Sequence, residues 1–254
     1  MLIDLRQLNR YQDTRPDARI ARIFERKEFE DSQKYNQEKH KFKMIHELVD
    51  TIVDLLLWVG FWYVAIWDWM NQLMSENGLC SETNWVGDAT QAFLFVIVTY
   101  LIQQLINIPF SIYHTFVIEE SYGFNKMTPG LFLKDEIKKF FITAILAAII
   151  LPVLLYIIAN SGPALVPVLA GVSVGFVIFI NLLVPTVILP LFFTMKDLDE
   201  GELRDAIFAE AERTNIPVSQ IKVIDGSQRS SHSNAFVAGF GSFRKVVLFD
   251  TLIE

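Results

Sequence analysis

FFITAILAAIILPVLLYIIANSGPALVPVLAGVSVGFVIFINLLVPTVILPLFFTM, residues 140–195, contains no Asp, Glu, Lys, Arg or His. A bilayer core of about 30 Å is crossed by about 20 helical residues, so this run holds two spans rather than one. Asn160-Ser161-Gly162-Pro163 divides it and reads as a tight turn, which places the spans near 140–159 and 164–193. Both contain prolines (Pro152, Pro167, Pro185 and Pro190), tolerable where neighbouring helices satisfy the freed backbone groups.

Working outward, a third span is expected over about 92–118, interrupted by Pro109 and His114. A fourth, about 55–74, carries Asp68 and four tryptophans, Trp58, Trp62, Trp67 and Trp69, which suit a membrane interface. A soluble core helix is the alternative for this stretch. The 22 Lys and Arg residues alternate: 11 fall in 1–54, none in 75–91, four in 119–139, none in 160–163 and seven in 196–254. The positive-inside rule therefore assigns 1–54, 119–139 and 196–254 to the cytosol. The fold class expected is a multi-span α-helical membrane protein with a partial cytosolic α+β segment at its C-terminus.

Composition narrows the function. Of 254 residues, 52% are hydrophobic and 13% aromatic, which excludes a disordered chain. One cysteine excludes an internal disulfide framework. A net charge of −7, with no basic-aromatic stripe, gives no reason to expect a nucleic-acid partner; the lipid bilayer is the partner the composition demands.

Residues 1–54 read as a charge-dense cytosolic helical arm, 55–195 as the membrane domain and 196–254 as an ordered tail. In the tail, Leu203, Ile207 and Ala211 give a helix one apolar face over 201–215. QIKVID reads as a short strand, and NAFVAGF and FRKVVLF around Gly241-Ser242 read as a β-hairpin. Asp250-Thr251 then caps a new helix. One helix and three short strands bury little apolar area, so the tail is expected to need the rest of the chain for order.

The titratable residues do not spell a reaction. His40, His46, His114 and His232 contain no i, i+4 histidine pair of the kind that binds zinc on a helix. His46-Glu47-Leu48-Val49-Asp50 puts His46 and Asp50 on one helix face; it reads as half a metal site or, more plainly, as a solvated helix end. Ser227, Ser230, Ser231 and His232 lack a nucleophile motif and read as a polar loop. His114 is either an intramembrane ionisable group or an interfacial one.

Three strings together resemble a known family. PFSIYHTFVIEESYGFNKMTPGLFLKDEIKKF (109–140), LPLFF (189–193) and GSQRSSHSNAFVAGFGSFRKVVLFDTLIE (226–254) are similar in order and separation to the type I CAAX prenyl proteases. These are M48-type integral-membrane zinc metalloendopeptidases that process prenylated proteins. The resemblance implies a zincin-like fold for 196–254, the start of a metalloprotease domain, and a multi-pass protein of the endoplasmic reticulum membrane, continuous with the nuclear envelope. It implies that SNAFVAGF is the strand against which an extended substrate lies. Asn234 is the expected substrate contact, with Ala235 and Gly239 shaping the strand; Asn234 as a simple loop–strand junction is the competing reading.

The family's H-E-x-x-H helix and downstream glutamate are expected beyond residue 254, and a further span before residue 1. The resemblance thus implies the N-terminal part of such a protease. Its partners would be prenylated CAAX peptides or proteins. Zinc belongs to the complete enzyme, with no zinc expected to bind these residues and no catalytic residue among them. The alternative is a non-catalytic membrane peptide-binding protein derived from that family. A small transporter would explain the spans but not the tail.

Overall fold

The computed structural model describes residues 2–13, 15, 25–77, 85–232 and 234–253. Of the expected helical arm over 1–54, positions 1, 14 and 16–24 lie outside the described residues. The described chain forms two compact units, 1–123 and 124–254.

The first unit is helical. A short helix α1 (Leu2–Arg10) meets the long helix α2 (Arg26–Val59) through His40, whose Nε2 lies 3.0 Å from the Asp4 carbonyl oxygen. Helix α3 (Trp62–Glu76) follows after a break, and α4 (Trp85–Tyr113) continues into a π-helical turn, His114–Glu119. The stretch expected as one span over 55–74 is bent by 59° at that break. Phe61 there adopts the left-handed conformation (φ 55). A Cβ on Gly60 would come within 2.7 Å of the Trp62 ring, so only glycine lets the two helices turn so sharply.

The second unit opens with α5 (Pro129–Asn160). Thr128 caps it by accepting from Leu131 N at 3.2 Å, and Pro129 supplies a preset φ in the first turn. A 3-10 turn, Gly162–Ala164, reverses the chain into α6 (Leu165–Leu183), a π turn (Val184–Ile188) and the short α7 (Leu189–Phe192). In that π turn Leu189 N donates to Val184 O five residues back, just ahead of Pro190, which has no N–H to contribute.

Three helical stretches among the described residues, Gly87–Glu119, Pro129–Asn160 and Gly162–Phe192, are long and apolar enough to cross a bilayer. The bent pair α2–α3 makes a fourth only if counted as one span. On α5, Phe141, Ile145, Ile149 and Val153 form an exposed stripe at four-residue spacing, the surface lipid would cover.

The tail is better organised than its composition implies. Strand β1 (Met195–Asp197), which the sequence reading did not anticipate, leads through α8 (Glu202–Arg213) to β2 (Gln220–Ile224), β3 (Ala235–Ala238), β4 (Lys245–Phe249) and a final turn of helix, α9 (Asp250–Ile253). The four strands are ordered β1-β2-β4-β3. β1 is antiparallel to β2, β2 parallel to β4, and β3 antiparallel to β4. Ile221, Ile224, Val247 and Leu248 are buried on the two central strands. The hairpin expected over 234–249 is thus the β3–β4 pair.

One ion pair fastens the loop before β3 to the membrane helices. Arg229 donates through Nε and Nη2 to Asp135 of α5 (2.9 and 3.1 Å) and through Nη2 to the Phe192 carbonyl (2.6 Å). Its guanidinium also lies 4.4 Å from the Phe193 ring centroid. Both charged side chains are nearly enclosed, 12% and 7% exposed. Removing one member of such a pair strands the other charge, whereas replacing both with apolar groups need not destabilise. Asp135→Ala is therefore expected to cost about 3–5 kcal/mol, and Asp135→Leu with Arg229→Met to recover most of it. Thermal unfolding in detergent measures both; an unaltered midpoint in Asp135→Ala would show that the pair holds nothing.

Candidate functional site

β3 lies at the edge of the sheet, with β4 on one side and no strand on the other among the described residues. Its pairing runs Ala235↔Leu248, Phe236↔Val247, Val237↔Val246 and Ala238↔Lys245. Phe249 N donates to Asn234 O at 3.0 Å, which fixes the alternation of the ladder. The main-chain groups of Phe236 and Ala238 consequently face β4, and those of Ala235 and Val237 face the open edge.

All three residues singled out in sequence fall along this strand. Asn234 precedes it, exposed, and its Oδ1 accepts from Ala235 N at 2.8 Å. That bond occupies the one outward N–H of Ala235 and leaves the Asn234 Nδ2 group as a donor. Gly239 ends the strand at φ 99, a conformation that favours glycine. A Cβ there would lie 2.5 Å from the Phe243 carbonyl oxygen, so the close return of the chain requires its absence. Phe236 turns inward, edge-on to Phe249 with ring centroids 6.3 Å apart, while Val237 is 53% exposed.

The junction behind β3 is held by a carboxylate. Asp250 accepts from Ser227 N, Ser227 Oγ and Thr251 N. Burial works against its charge, but these donors keep its carboxyl below the usual aspartate range. Ser227 thus belongs to a structural junction, and Asp250 caps α9. His232 packs against Phe124, with ring centroids 4.2 Å apart.

Sequence reasoning missed a polar seam in the first unit. Glu119 Oε1 accepts from Tyr35 Oη (2.6 Å) and Lys39 Nζ (3.0 Å), and lies 3.5 Å from His114 Nε2. Farther along α2 and α4, His46 meets Asn107 Oδ1 (2.8 Å) and Asp50 (3.4 Å), and Gln103 donates to Asp50 (3.3 Å). His46 and Asp50 do share a helix face, and they face α4 rather than forming only a solvated helix end. The i, i+4 spacing of Tyr35 and Lys39 was the available signal, but their partners lie 84 and 80 residues away.

Among the described residues no three His, Cys, Asp or Glu side chains converge as a metal site. The His114–Glu119 and His46–Asp50 pairs each offer two candidate groups, and both are engaged in the seam. These residues do not fit a zinc site.

The helices and the open-edged sheet define a class: a multi-span membrane protein bearing a small α+β segment. Residues 5–194 match the family described as CAAX prenyl protease N-terminal, five membrane helices, and residues 197–254 match peptidase family M48. The chain belongs to this CAAX prenyl protease family of M48 metallopeptidases. It is similar to a CAAX prenyl protease 1 homolog of Oryza sativa subsp. japonica, 36% identical over 237 residues, which cover 92% of this chain and 54% of the relative. A Homo sapiens CAAX prenyl protease 1 homolog is 34% identical over 243 residues, 92% of this chain and 49% of the relative. The crystal structure of S. mikatae Ste24p superposes with TM-score 0.87 at 29% identity, covering 100% of this chain and 58% of that one. The chain spans about half the length of the curated relatives it matches.

Gly239→Ala is expected to cost about 1–3 kcal/mol, because it adds both left-handed strain and a backbone clash. Hydrogen exchange should show the β3 and β4 amides losing protection first; uniform protection would contradict this. Tyr122 supplies a second test. Burial, together with its hydrogen bond to Glu38 (2.8 Å), pushes its phenol up to about 12. The folded state keeps this proton after the unfolded chain has lost it, so the contribution is complete below pH 10 and is lost as pH rises toward 12. Stability of the parent should fall more steeply over that window than that of Tyr122→Phe; parallel curves would contradict it.

Proposed function

We propose that these residues form the membrane portion and the substrate-aligning edge of a zinc endopeptidase that processes prenylated CAAX proteins at the endoplasmic reticulum membrane. Residues 1–54, 119–139 and 196–254 face the cytosol in this reading, and 196–254 begin the protease domain. The observation that carries it is the open edge of β3, with Asn234 at its start and Gly239 at its end.

An extended peptide can add to β3 as a further antiparallel strand. The outward C=O of Ala235 and the N–H and C=O of Val237 provide backbone pairing that is independent of side chain. Asn234 Nδ2 donates to a peptide carbonyl just before the strand. The exposed Val237 gives an apolar contact on the alternate face. Sequence register is thereby fixed without many side-chain contacts, which suits an enzyme acting on varied peptides that share a prenyl anchor. Because the described residues do not fit zinc, the reading assigns them substrate binding and not bond cleavage. The metal ligands are assigned to sequence outside these residues.

A farnesylated CAAX peptide carrying a photoreactive group, added to the 254-residue chain in nanodiscs, tests this. Crosslinks are expected within 234–239, with binding about tenfold weaker in Asn234→Ala, the worth of one well-made hydrogen bond. Neither peptide cleavage nor stoichiometric zinc is expected from these residues. Cleavage by them would overturn the placement of the metal ligands, and crosslinks confined to other segments would overturn the role of β3.

A further inference from the structure

A cavity of about 720 Å³ opens where α5, the end of α7 and the sheet meet. Lys134, Lys138, Lys222, Arg229 and Lys245 line it, and Asp225 is the only acidic lining residue. Asp225 is occupied by Thr194 N and Gln228 Nε2, both at 2.8 Å. Arg229 is paired with Asp135, and Lys222 with Asp197 at 2.7 Å. Lys138 donates to the Leu191 carbonyl at 2.7 Å. The side-chain ammonium groups of Lys134 and Lys245 form no hydrogen bond or ion pair among the described residues, and Lys245 acts on Asp197 only at longer range. Five cations thus stand against three carboxylates, a local positive surplus in a chain whose net charge is −7.

The position of this cavity beside the end of the charge-free run points to its ligand. The charge-free run begins at Phe140, so Lys138 and Lys134 sit two and six residues outside it on the same helix. At about 1.5 Å per residue that is roughly 3 and 9 Å beyond the hydrocarbon. Headgroup layers occupy about 5–8 Å on each side of the core, so Lys138 lies within that layer and Lys134 at its outer boundary. Apolar lining from Leu131, Pro190 and Leu191 continues toward the spans. The positive flanks of these spans assign this mouth to the cytosolic leaflet, where anionic lipids are enriched.

We propose that this cavity binds the phosphate-bearing headgroup of an anionic phospholipid, with Lys134 and Lys245, whose ammonium groups have no direct partner among the described residues, as the cations that recognise it. Lys138 and Arg229, held by backbone carbonyls, shape the basic wall. The lipid would then join α5 and the sheet as a non-covalent tie. This assignment does not depend on the peptide-binding role of β3.

Native mass spectrometry of the 254-residue chain, exchanged from detergent into mixtures of phosphatidylcholine with phosphatidylserine or a phosphatidylinositol phosphate, tests it. Selective retention of the anionic lipid is expected. Lys134→Gln with Lys245→Gln should weaken it about 25-fold, at about fivefold per cation near a membrane surface. Lys134→Arg with Lys245→Arg should keep it. Equal retention of phosphatidylcholine, or undiminished retention by a folded double Gln variant, would overturn the proposal. Displacement of the lipid by inorganic phosphate at equal concentration would overturn the lipid assignment, because acyl chains would then contribute nothing. The first and last comparisons use the parent chain alone, so they decide the matter even if the Gln variant does not fold.

Discussion

Arg229 sits in a loop of the tail yet makes its strongest contacts with helices that precede it. Asp135 of α5, the carbonyl that ends α7 and the ring of Phe193 together enclose its guanidinium. Around it the backbone adds a short ladder: Lys126 N donates to Arg229 O, Ser231 N donates to Phe124 O, and Asn125 bridges Ser230. A four-stranded sheet with one short helix between β1 and β2 has little core of its own. Its stability and position are therefore inherited from this anchor, and the edge strand β3 begins only a few residues beyond it. The placement of β3 thus rests on a charge pair whose near-complete burial makes it costly to break.

The two units use buried polarity differently. In 124–254 it is concentrated in the Arg229 anchor. In 1–123 it is spread along α2 and α4 as a row of modest contacts, from Tyr35, Lys39 and Glu119 to Asp50 and Gln103. Aromatic rings fill the gaps: Phe42 stacks on Tyr113 at 5.0 Å and His46 on Phe110 at 4.3 Å. Hydrogen bonds and ring contacts are directional, so such a row specifies which face of α2 meets α4.

Hydropathy alone revealed the three long apolar helices, because lipid imposes a length and a composition that local sequence must satisfy. The helix of 202–213 and the β3–β4 pair were legible for a similar reason, since periodicity and turn glycines record local geometry. The bend at Gly60-Phe61 was not, because it rests on one left-handed residue and one indole ring inside an uninterrupted apolar run. β1 was invisible as well: Met-Lys-Asp has no alternating pattern and becomes a strand only by pairing with β2. The positions of Asn234 and Gly239 came from family resemblance. Their setting at a free sheet edge required the strand order, which no spacing encodes. The seam at Glu119 joins residues some 80 positions apart, beyond the reach of any motif.

The separation between Asp135 and Arg229 also sets an order in time. They lie 94 residues apart, and at about 5–20 residues per second the ribosome delivers the arginine roughly 5–20 s after the aspartate. During that interval α5 must enter the bilayer with Asp135 still without its arginine partner. It can do so because Asp135 lies before Phe140, outside the charge-free run, where water and headgroups solvate it. The same placement that lets the helix insert early leaves a carboxylate waiting at the surface. Docking of the tail is thus a late, post-insertion event guided by a preformed electrostatic mark.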